Sequence, residues 1–282
     1  MAETPSVGEL RAQGRRTLAG PAGGSFEADL LLSHVLNESR AWLYANDNSR
    51  VSTTDRDRYQ GMLERRARGE PVAYLLGVRE FWSLPFVVTP DVLIPRPETE
   101  LLVAVALECL PKSSAARIAD LGTGSGTVAI ALATERPACE VHATDISQAA
   151  LEIARLNAHE LAPGRIALHQ GDWLAALDGL FDVIVSNPPY IDRQDPHLER
   201  DDCRFEPREA LTPGPDGMAA IKHIAVGAVD SLRAGGCLAF EHGFEQGGAS
   251  RRLLEKEGYV RIETRKDLEG HERVTLGFRP DD

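Results

Sequence analysis

Phe181-Asp182-Val183-Ile184-Val185-Ser186-Asn187-Pro188-Pro189-Tyr190 is the stretch from which the rest of the chain can be read. Phe181 and Val183–Val185 form a short apolar run, as expected of a strand covered on both faces. Asn187-Pro188-Pro189-Tyr190 stops it at once. Two prolines donate no ladder hydrogen bond and fix φ, so the backbone past Ser186 is stiff and its carbonyls are free. An Asn side chain, free carbonyls and an aromatic ring are thereby held at the carboxyl end of a strand, where ligands bind in open α/β sheets. The Asn oxygen and a proline carbonyl are two acceptors, and a planar NH₂ group offers two donors. Pairing them aims the nitrogen lone pair at an electrophile, with Tyr190 available for stacking. The same letters also read as a plain Pro-rich turn, so the decision rests on what lies around them.

Upstream, Ala119-Asp120-Leu121-Gly122-Thr123-Gly124-Ser125-Gly126 follows an earlier strand and enters a helix. Glycines let the backbone turn tightly and approach a ligand closely. A dinucleotide site would space them G-x-G-x-x-G around a pyrophosphate. Here the spacing is G-x-G-x-G led by Asp120, and an acid repels pyrophosphate but suits a cationic amino acid. Asp145, ending the next strand, can take both hydroxyls of a ribose. Asp172-Trp173, after the third, offers an acid for an adenine amino group and an apolar wall for its ring. Singly, Asp145 reads as a helix N-terminal charge and Trp173 as core. In this order over successive strand ends, the set fits S-adenosylmethionine.

From residue 117 onward strands and helices alternate, which predicts a parallel α/β sheet. Strands are expected over 117–121, 140–144, 165–170, 181–186 and 236–241, with helices over 127–135, 147–160, 216–233 and 248–257. The runs 259–266 and 273–278, joined by a short polar loop, predict a terminal antiparallel pair. Residues 1–70 read as a small helical domain, either a stabilising cap or a partner-docking surface. Helices are expected over 25–36 and from 53 or 54 to 68, and Ser6 with Glu9 has capping-box spacing. Residues 71–95 read as a connector whose β-prone pieces, around Gly77, form a hairpin. Residues 96–282 form the main domain, opened by a helix over 101–110. Arg96 and Glu98 either face the active site or anchor the connector.

The 282 residues carry 31 basic and 43 acidic side chains, a net charge of −12. Ten of each sign lie in residues 1–70, so the acidic excess belongs to the larger part. That disfavours broad binding to a phosphate backbone, which needs a basic field. Cys109, Cys139, Cys203 and Cys237 are far apart, form no metal-type pair and read as small packing residues. The eight histidines show no paired spacing, so no metal is expected. The amino terminus has no signal pattern, and no apolar run approaches the ~20 residues that span a bilayer. Cytoplasmic residence is the resulting expectation.

Together these motifs resemble class I S-adenosylmethionine-dependent methyltransferases that act on planar NH₂ groups. Asn-Pro-Pro-Tyr is shared by adenine-N6 DNA methyltransferases and glutamine-N5 protein methyltransferases. Phe81-Trp82-Ser83-Leu84, Leu93-Ile94-Pro95-Arg96-Pro97-Glu98-Thr99-Glu100, Arg204-Phe205-Glu206-Pro207 and Glu241-His242-Gly243 are similar to the bacterial release factor glutamine methyltransferase (PrmC/HemK) family. The resemblance runs from about residue 25 to the end. It implies a Rossmann-like sheet preceded by a helical substrate-recognition domain. It also implies transfer of the S-adenosylmethionine methyl, leaving S-adenosylhomocysteine, to the glutamine amide nitrogen in the Gly-Gly-Gln loop of peptide chain release factors 1 and 2. Carried over by position, Gly122, Thr123, Gly124 and Gly126 border the methionine part of the cofactor, with Asp120, Ser125 and Asn187 beside them. Asp145 takes the ribose, and Asp172 and Trp173 take the adenine. Asn187 and the Pro188 carbonyl hold the substrate amide hydrogens, and Pro189 and Tyr190 line the glutamine side chain. The alternative, adenine-N6 methylation of nucleic acid, shares every core motif. Against it stand the acidic main domain and the lack of a basic, aromatic-interleaved recognition region.

Overall fold

The structure is a computed structural model that describes residues 4–19, 24–110, 115–199, 201–214 and 216–281. The chain divides into two compact units, Met1–Gly77 and Val78–Asp282.

The first unit is helical: α1 (Val7–Thr17), α2 (Gly24–Leu36), α3 (Arg40–Ala45), α4 (Thr53–Ala67) and α5 (Val72–Leu76). The capping box is made: the Ser6 hydroxyl accepts from Glu9 N–H at 3.2 Å, and the Glu9 carboxylate accepts from Ser6 N–H at 2.6 Å. Leu10, Leu31, Leu32, Leu43, Tyr59 and Leu63 form the core. Beside it Arg11 donates to both oxygens of the buried Asp29, at 3.0 and 3.2 Å, and Tyr44 adds a third bond at 3.0 Å. Burial pushes the Asp29 carboxyl up, but these bonds outweigh it and hold the group below its ordinary value. α5 lies where β-prone connector was expected. Pro71 at its N-cap and Gly77, left-handed at φ 72°, bound a single turn that buries Tyr74 and Leu75 and packs on α2 and α4. Five residues are too few for a helical period to show.

The second unit opens with the expected hairpin, β1 (Val78–Phe81) and β2 (Leu84–Val87). Trp82 and Ser83 both have positive φ, 52° and 58°, as a two-residue primed turn requires. There follow α6 (Glu100–Cys109), β3 (Arg117–Leu121), α7 (Thr127–Glu135), β4 (Glu140–Asp145), α8 (Gln148–Leu161), β5 (Ile166–Gln170) and β6 (Phe181–Ser186). The chain ends with α9 (Arg208–Leu211), α10 (Ala219–Ser231), β7 (Leu232–Glu241), α11 (Gly247–Lys256), β8 (Val260–Lys266) and β9 (Glu272–Phe278).

Among the described residues seven strands form one sheet in the order β5-β4-β3-β6-β7-β9-β8, the first five parallel and the last two antiparallel to their neighbours. This is the class I methyltransferase sheet that the motif order predicts. β7 starts four residues before the expected position, because Gly235 and Gly236 sit in an irregularity where the β6 register jumps from Leu232 to Cys237. Alternation divides the strands between two cores. Ile118, Val183, Val185 and Ala239 pack with Leu102, Val103 and Ala131 on one face. Ala119, Leu121, Ile184 and Phe240 pack with Ile221, Ile224 and Leu254 on the other. Helices thus cover both faces, and the strands read as continuous apolar runs for that reason. No helix of the described residues is long and apolar enough to cross a membrane.

Strand order reverses at β3, which has β4 on one side and β6 on the other. The carboxyl ends are level there: Leu121 pairs with Thr144 and with Ser186, Asp145 with Gln170, and Ser186 with Phe240. The segments that follow β3, β4, β5 and β6 therefore emerge side by side at a topological switch point, the place where open sheets bind ligands.

Candidate active site

A cavity of about 680 Å³ lies over these strand ends, within the range of small-molecule sites. Gly122, Thr123, Gly124 and Ser125 form its floor beyond β3, with Asp120 below them. The N–H groups of Gly122 and Thr123 both donate to the Thr144 carbonyl, at 2.8 Å, which folds the loop back over β4. Gly122 has φ 71°, and a Cβ there would lie 3.0 Å from Cζ3 of Trp173. The Trp173 ring therefore rests on the Gly122 backbone. Trp173 is itself at φ 47°, a strained position for a bulky residue, held because its ring packs against the Ala119–Leu121 side of the core. Gly126 turns the chain into α7 and is not on the cavity wall.

Two acids define the electrostatics. Asp120 is 2 % exposed, and among the described residues no cation pairs with it. One of its oxygens accepts from the Thr123 hydroxyl at 2.6 Å and from Ala129 N–H at 3.2 Å. Burial still dominates and pushes its pKa up to about 6. Asp145 is oriented by the backbone: one oxygen accepts from Gly124 N–H and the other from Ser147 N–H, each at 2.9 Å. Burial raises it as well, against those hydrogen bonds. A carboxylate has about four lone-pair sites, so Asp145 retains acceptors toward the cavity. Asp172 is exposed at the rim, beside Trp173.

At the end of β6, Asn187 and Pro189 line the cavity, whereas Pro188 is buried and off the wall. Asn187 Nδ2 donates to the Thr99 hydroxyl at 3.1 Å. That bond commits the amino half of the amide and leaves Oδ1 as the half able to receive a donor. Tyr190 is also off the wall. Its hydroxyl donates to Glu241 Oε1 at 3.1 Å, and burial together with that carboxylate raises its pKa. Across the cavity, Arg96 lines the wall and pairs with the buried Glu206, which also accepts from Ile94 N–H at 2.9 Å. Arg96 thus both faces the site and anchors the connector, while Glu98 is not on the wall. Asn157, 1 % exposed on α8, ties the hairpin to the glycine loop. It bonds Val87 N–H and C=O at 2.8 and 3.0 Å and donates to Ser125 O at 2.8 Å. No metal-type cluster of His, Cys, Asp and Glu occurs among the described residues.

Residues 99–200 match the family model described as Methyltransferase small domain, and residues 9–77 match that of the PrmC N-terminal domain. A release factor glutamine methyltransferase of Xylella fastidiosa (strain Temecula1) is 49% identical over 255 residues, 90% of this chain and 93% of its own. The chain belongs to the release factor glutamine methyltransferase family. The Escherichia coli (strain K12) member is 48% identical over 252 residues, covering 89% of this chain and 91% of its own. Among solved structures, a methyltransferase from Pyrococcus furiosus shares the fold with a TM-score of 0.55 at 18% identity, covering 78% of this chain and 99% of that one. As a family member the chain is an S-adenosylmethionine-dependent protein-(glutamine-N5) methyltransferase in class.

Sequence reasoning about this methyltransferase missed Thr99, Asn157, Glu206 and Glu241 as parts of the site's support. Glu206 and Glu241 lie inside stretches that carry the family resemblance, which is the signal that could have found them. Thr99 lies in a further such stretch, Leu93–Glu100, whereas Asn157, mid-helix in α8, gives no sequence signal.

Proposed function

We propose that this protein transfers the methyl group of S-adenosylmethionine to the side-chain amide nitrogen of the glutamine in the Gly-Gly-Gln loop of release factors 1 and 2. The observation that carries the reading is Asn187, held on the cavity wall with its amino half bound to Thr99 and its oxygen left to accept.

The residues present fit the methyl donor. Asp120 is a buried acid with no cation beside it among the described residues, a site completed by a positively charged methionine moiety. Asp145 presents spare lone pairs for ribose hydroxyls, and Trp173 with the 69 % exposed Ile146 offers apolar surface for the adenine. When bound, S-adenosylmethionine supplies an electrophilic methyl on a sulfonium centre. Everything else falls to the chain. Asn187 Oδ1, on the wall, accepts an amide hydrogen and pushes electron density back onto a nitrogen whose lone pair is otherwise delocalised; the Pro188 carbonyl, expected from the sequence as the second acceptor, belongs to a residue buried off the wall. Positive charge develops on that nitrogen, so acceptors around it bind the transition state better than the ground state. This scheme needs no strong general base, because the methylated nitrogen is strongly acidic and gives its extra proton to water. His242, next to Glu241, is not available as one: its Nδ1–H donates to Gly243 O at 2.9 Å and its Nε2 meets the Thr275 hydroxyl at 2.8 Å.

We assign the helical unit to recognition of the release factor, supported by the match of residues 9–77 to the PrmC N-terminal domain. The four free thiols suit the cytoplasm as the site of action. Mass spectrometry of purified release factor incubated with this protein and S-adenosylmethionine tests the reading, with a loop Gln→Ala release factor and plasmid DNA in parallel. One methyl on the Gly-Gly-Gln peptide, absent from the variant, is expected. Transfer to DNA adenine without transfer to the factor overturns it.

A further inference from the structure

Two thiols that methyl transfer does not use are in contact. Cys109 is the last residue of α6, and Cys237 lies in β7, 128 positions later. Both are free thiols, and their sulfurs share a hydrogen bond at 2.9 Å. They meet because α6 packs on β7. The pair is asymmetric. Cys237 is 1 % exposed, with Val183 of β6 on one side of it and Phe278 of β9 on the other. Cys109, at the end of its helix, is only half-buried.

The thiolate is the reactive form of a cysteine, so the charges around the pair matter. The carboxyl end of a helix disfavours a negative sulfur. Two cations from β8 oppose that. Arg265 bonds the Glu108 carboxylate at 3.2 Å, next to Cys109. Arg261 lies 3.9 Å over the ring of Phe278, the strand partner of Cys237. Once Cys109 has lost its proton, the Cys237 thiol is placed to donate to it. That bond, with both arginines, holds Cys109 below the ordinary thiol value against burial and Glu108. The Cys109 sulfur and burial push Cys237 up, so it stays protonated. One sulfur is thus both reachable and activated, and the other is held in reserve behind it.

We propose that Cys109 and Cys237 form an oxidative modification site: a hydroperoxide reacts at Cys109, and Cys237 closes the product to an intramolecular disulfide that staples α6 to β7. The Cys109 thiolate attacks one peroxide oxygen and the O–O bond breaks. The other oxygen takes up the proton that Cys109 released and leaves as water or an alcohol, with Cys109 now a sulfenic acid. The Cys237 sulfur then attacks the Cys109 sulfur. The S–O bond breaks, and hydroxide leaves with the Cys237 proton as water. Two thiols are oxidised and one peroxide is reduced. The sulfurs close from 2.9 Å to about 2.05 Å, a movement within reach of a helix end. Exchange with a dithiol reverses the bond. Neither cysteine lines the cavity, and the 10 residues of α6, about 15 Å long, separate Cys109 from the Thr99 end that holds Asn187.

The test uses the full-length protein and its C109S and C237S variants, reduced, freed of reductant and treated with an excess of hydrogen peroxide at neutral pH. Remaining thiols are capped with iodoacetamide, and the digest is read by mass spectrometry. In the wild type a linked pair of peptides carrying Cys109 and Cys237 is expected, two hydrogens lighter than the separate peptides and lost on adding dithiothreitol. The oxidised protein is expected to melt higher by roughly 5 °C or more, since the bond closes a long loop in the unfolded chain, and reduction reverses the shift. In C237S the sulfenic acid persists at Cys109 and is trapped by dimedone. In C109S, Cys237 is recovered as a thiol. Both thiols recovered intact from the treated wild type overturn the proposal. So do Cys109 carried on to the sulfinic acid with Cys237 still free, and a disulfide that joins two copies of the chain through Cys109. The wild-type reading requires neither variant to fold. It also requires no methyl transfer, so it stands or falls apart from the functional reading.

Discussion

Gly122 is closed to any larger residue for two independent reasons, a left-handed φ of 71° and a Trp173 ring 3.0 Å from where a Cβ would sit. Gly122→Ala is expected to weaken S-adenosylmethionine binding at least about tenfold by displacing the ring and the loop together, read by calorimetry. Asn187→Ala is expected to lose most turnover while cofactor binding persists; turnover near that of the wild type would remove Asn187 from the mechanism. Both residues were legible in the sequence, because a glycine after a strand and an Asn before two prolines have few other uses. Thr99 and Glu241 were not. Their hydrogen bonds to Asn187 and Tyr190 span 88 and 51 positions, and a Thr or Glu at an element boundary looks like an ordinary cap or end residue. Tyr190 was read as lining the substrate, whereas the structure turns its hydroxyl to Glu241 and keeps it off the cavity wall.

At the scale of elements, the glycine loop is supported from outside the sheet. The hairpin of β1 and β2 is locked to α8 by Asn157, which satisfies both the N–H and the C=O of Val87 and also holds Ser125 O. Asn157→Leu keeps the volume and removes three hydrogen bonds. It is expected to destabilise the second unit by about 2–3 kcal/mol, measured by urea unfolding, and to lower cofactor affinity through the released Ser125 carbonyl. β3 and β6 agree with the sequence reading to the residue, because apolar runs ended by glycine or proline are unambiguous in a sheet covered on both faces. The failures are short or irregular pieces. α5 is a single turn without a period, α3 was not seen for the same reason, and β7 carries two glycines that sequence rules read as a break but that the sheet absorbs as an irregularity.

For the molecule as a whole, the site sets the pH dependence of stability. Asp120 and Glu241 are buried and raised, to about 6 and about 7. A carboxyl raised on folding binds its proton more tightly in the native state. Its contribution to stability is therefore fully present below its unfolded value and is lost as pH rises through the folded one. For Glu241 the window runs from 4.5 to about 7. E241Q removes the cost of that buried charge and is expected to be more stable than the wild type at pH 8, by up to about 3 kcal/mol, with the difference gone near pH 4; equal urea midpoints at pH 8 would show that Glu241 is not raised. The fold class and the family were legible at this scale because the order of motifs over successive strand ends carries more information than any one of them. The division at Gly77 was less so, since the turn of helix before it hides among β-prone residues.

The contact of Trp173 with the glycine loop also makes the protein its own optical reporter. The chain has three tryptophans; Trp42 lies in the helical unit, and Trp82, in the hairpin turn, has its indole N–H engaged by Glu135. Only Trp173 borders the cavity among the described residues. Its emission should change when the cavity fills, and the signal should vanish in Trp173→Phe. Occupancy by the spent cofactor could then be followed in real time without a label, separating slow product release from slow methyl transfer within a single stopped-flow trace.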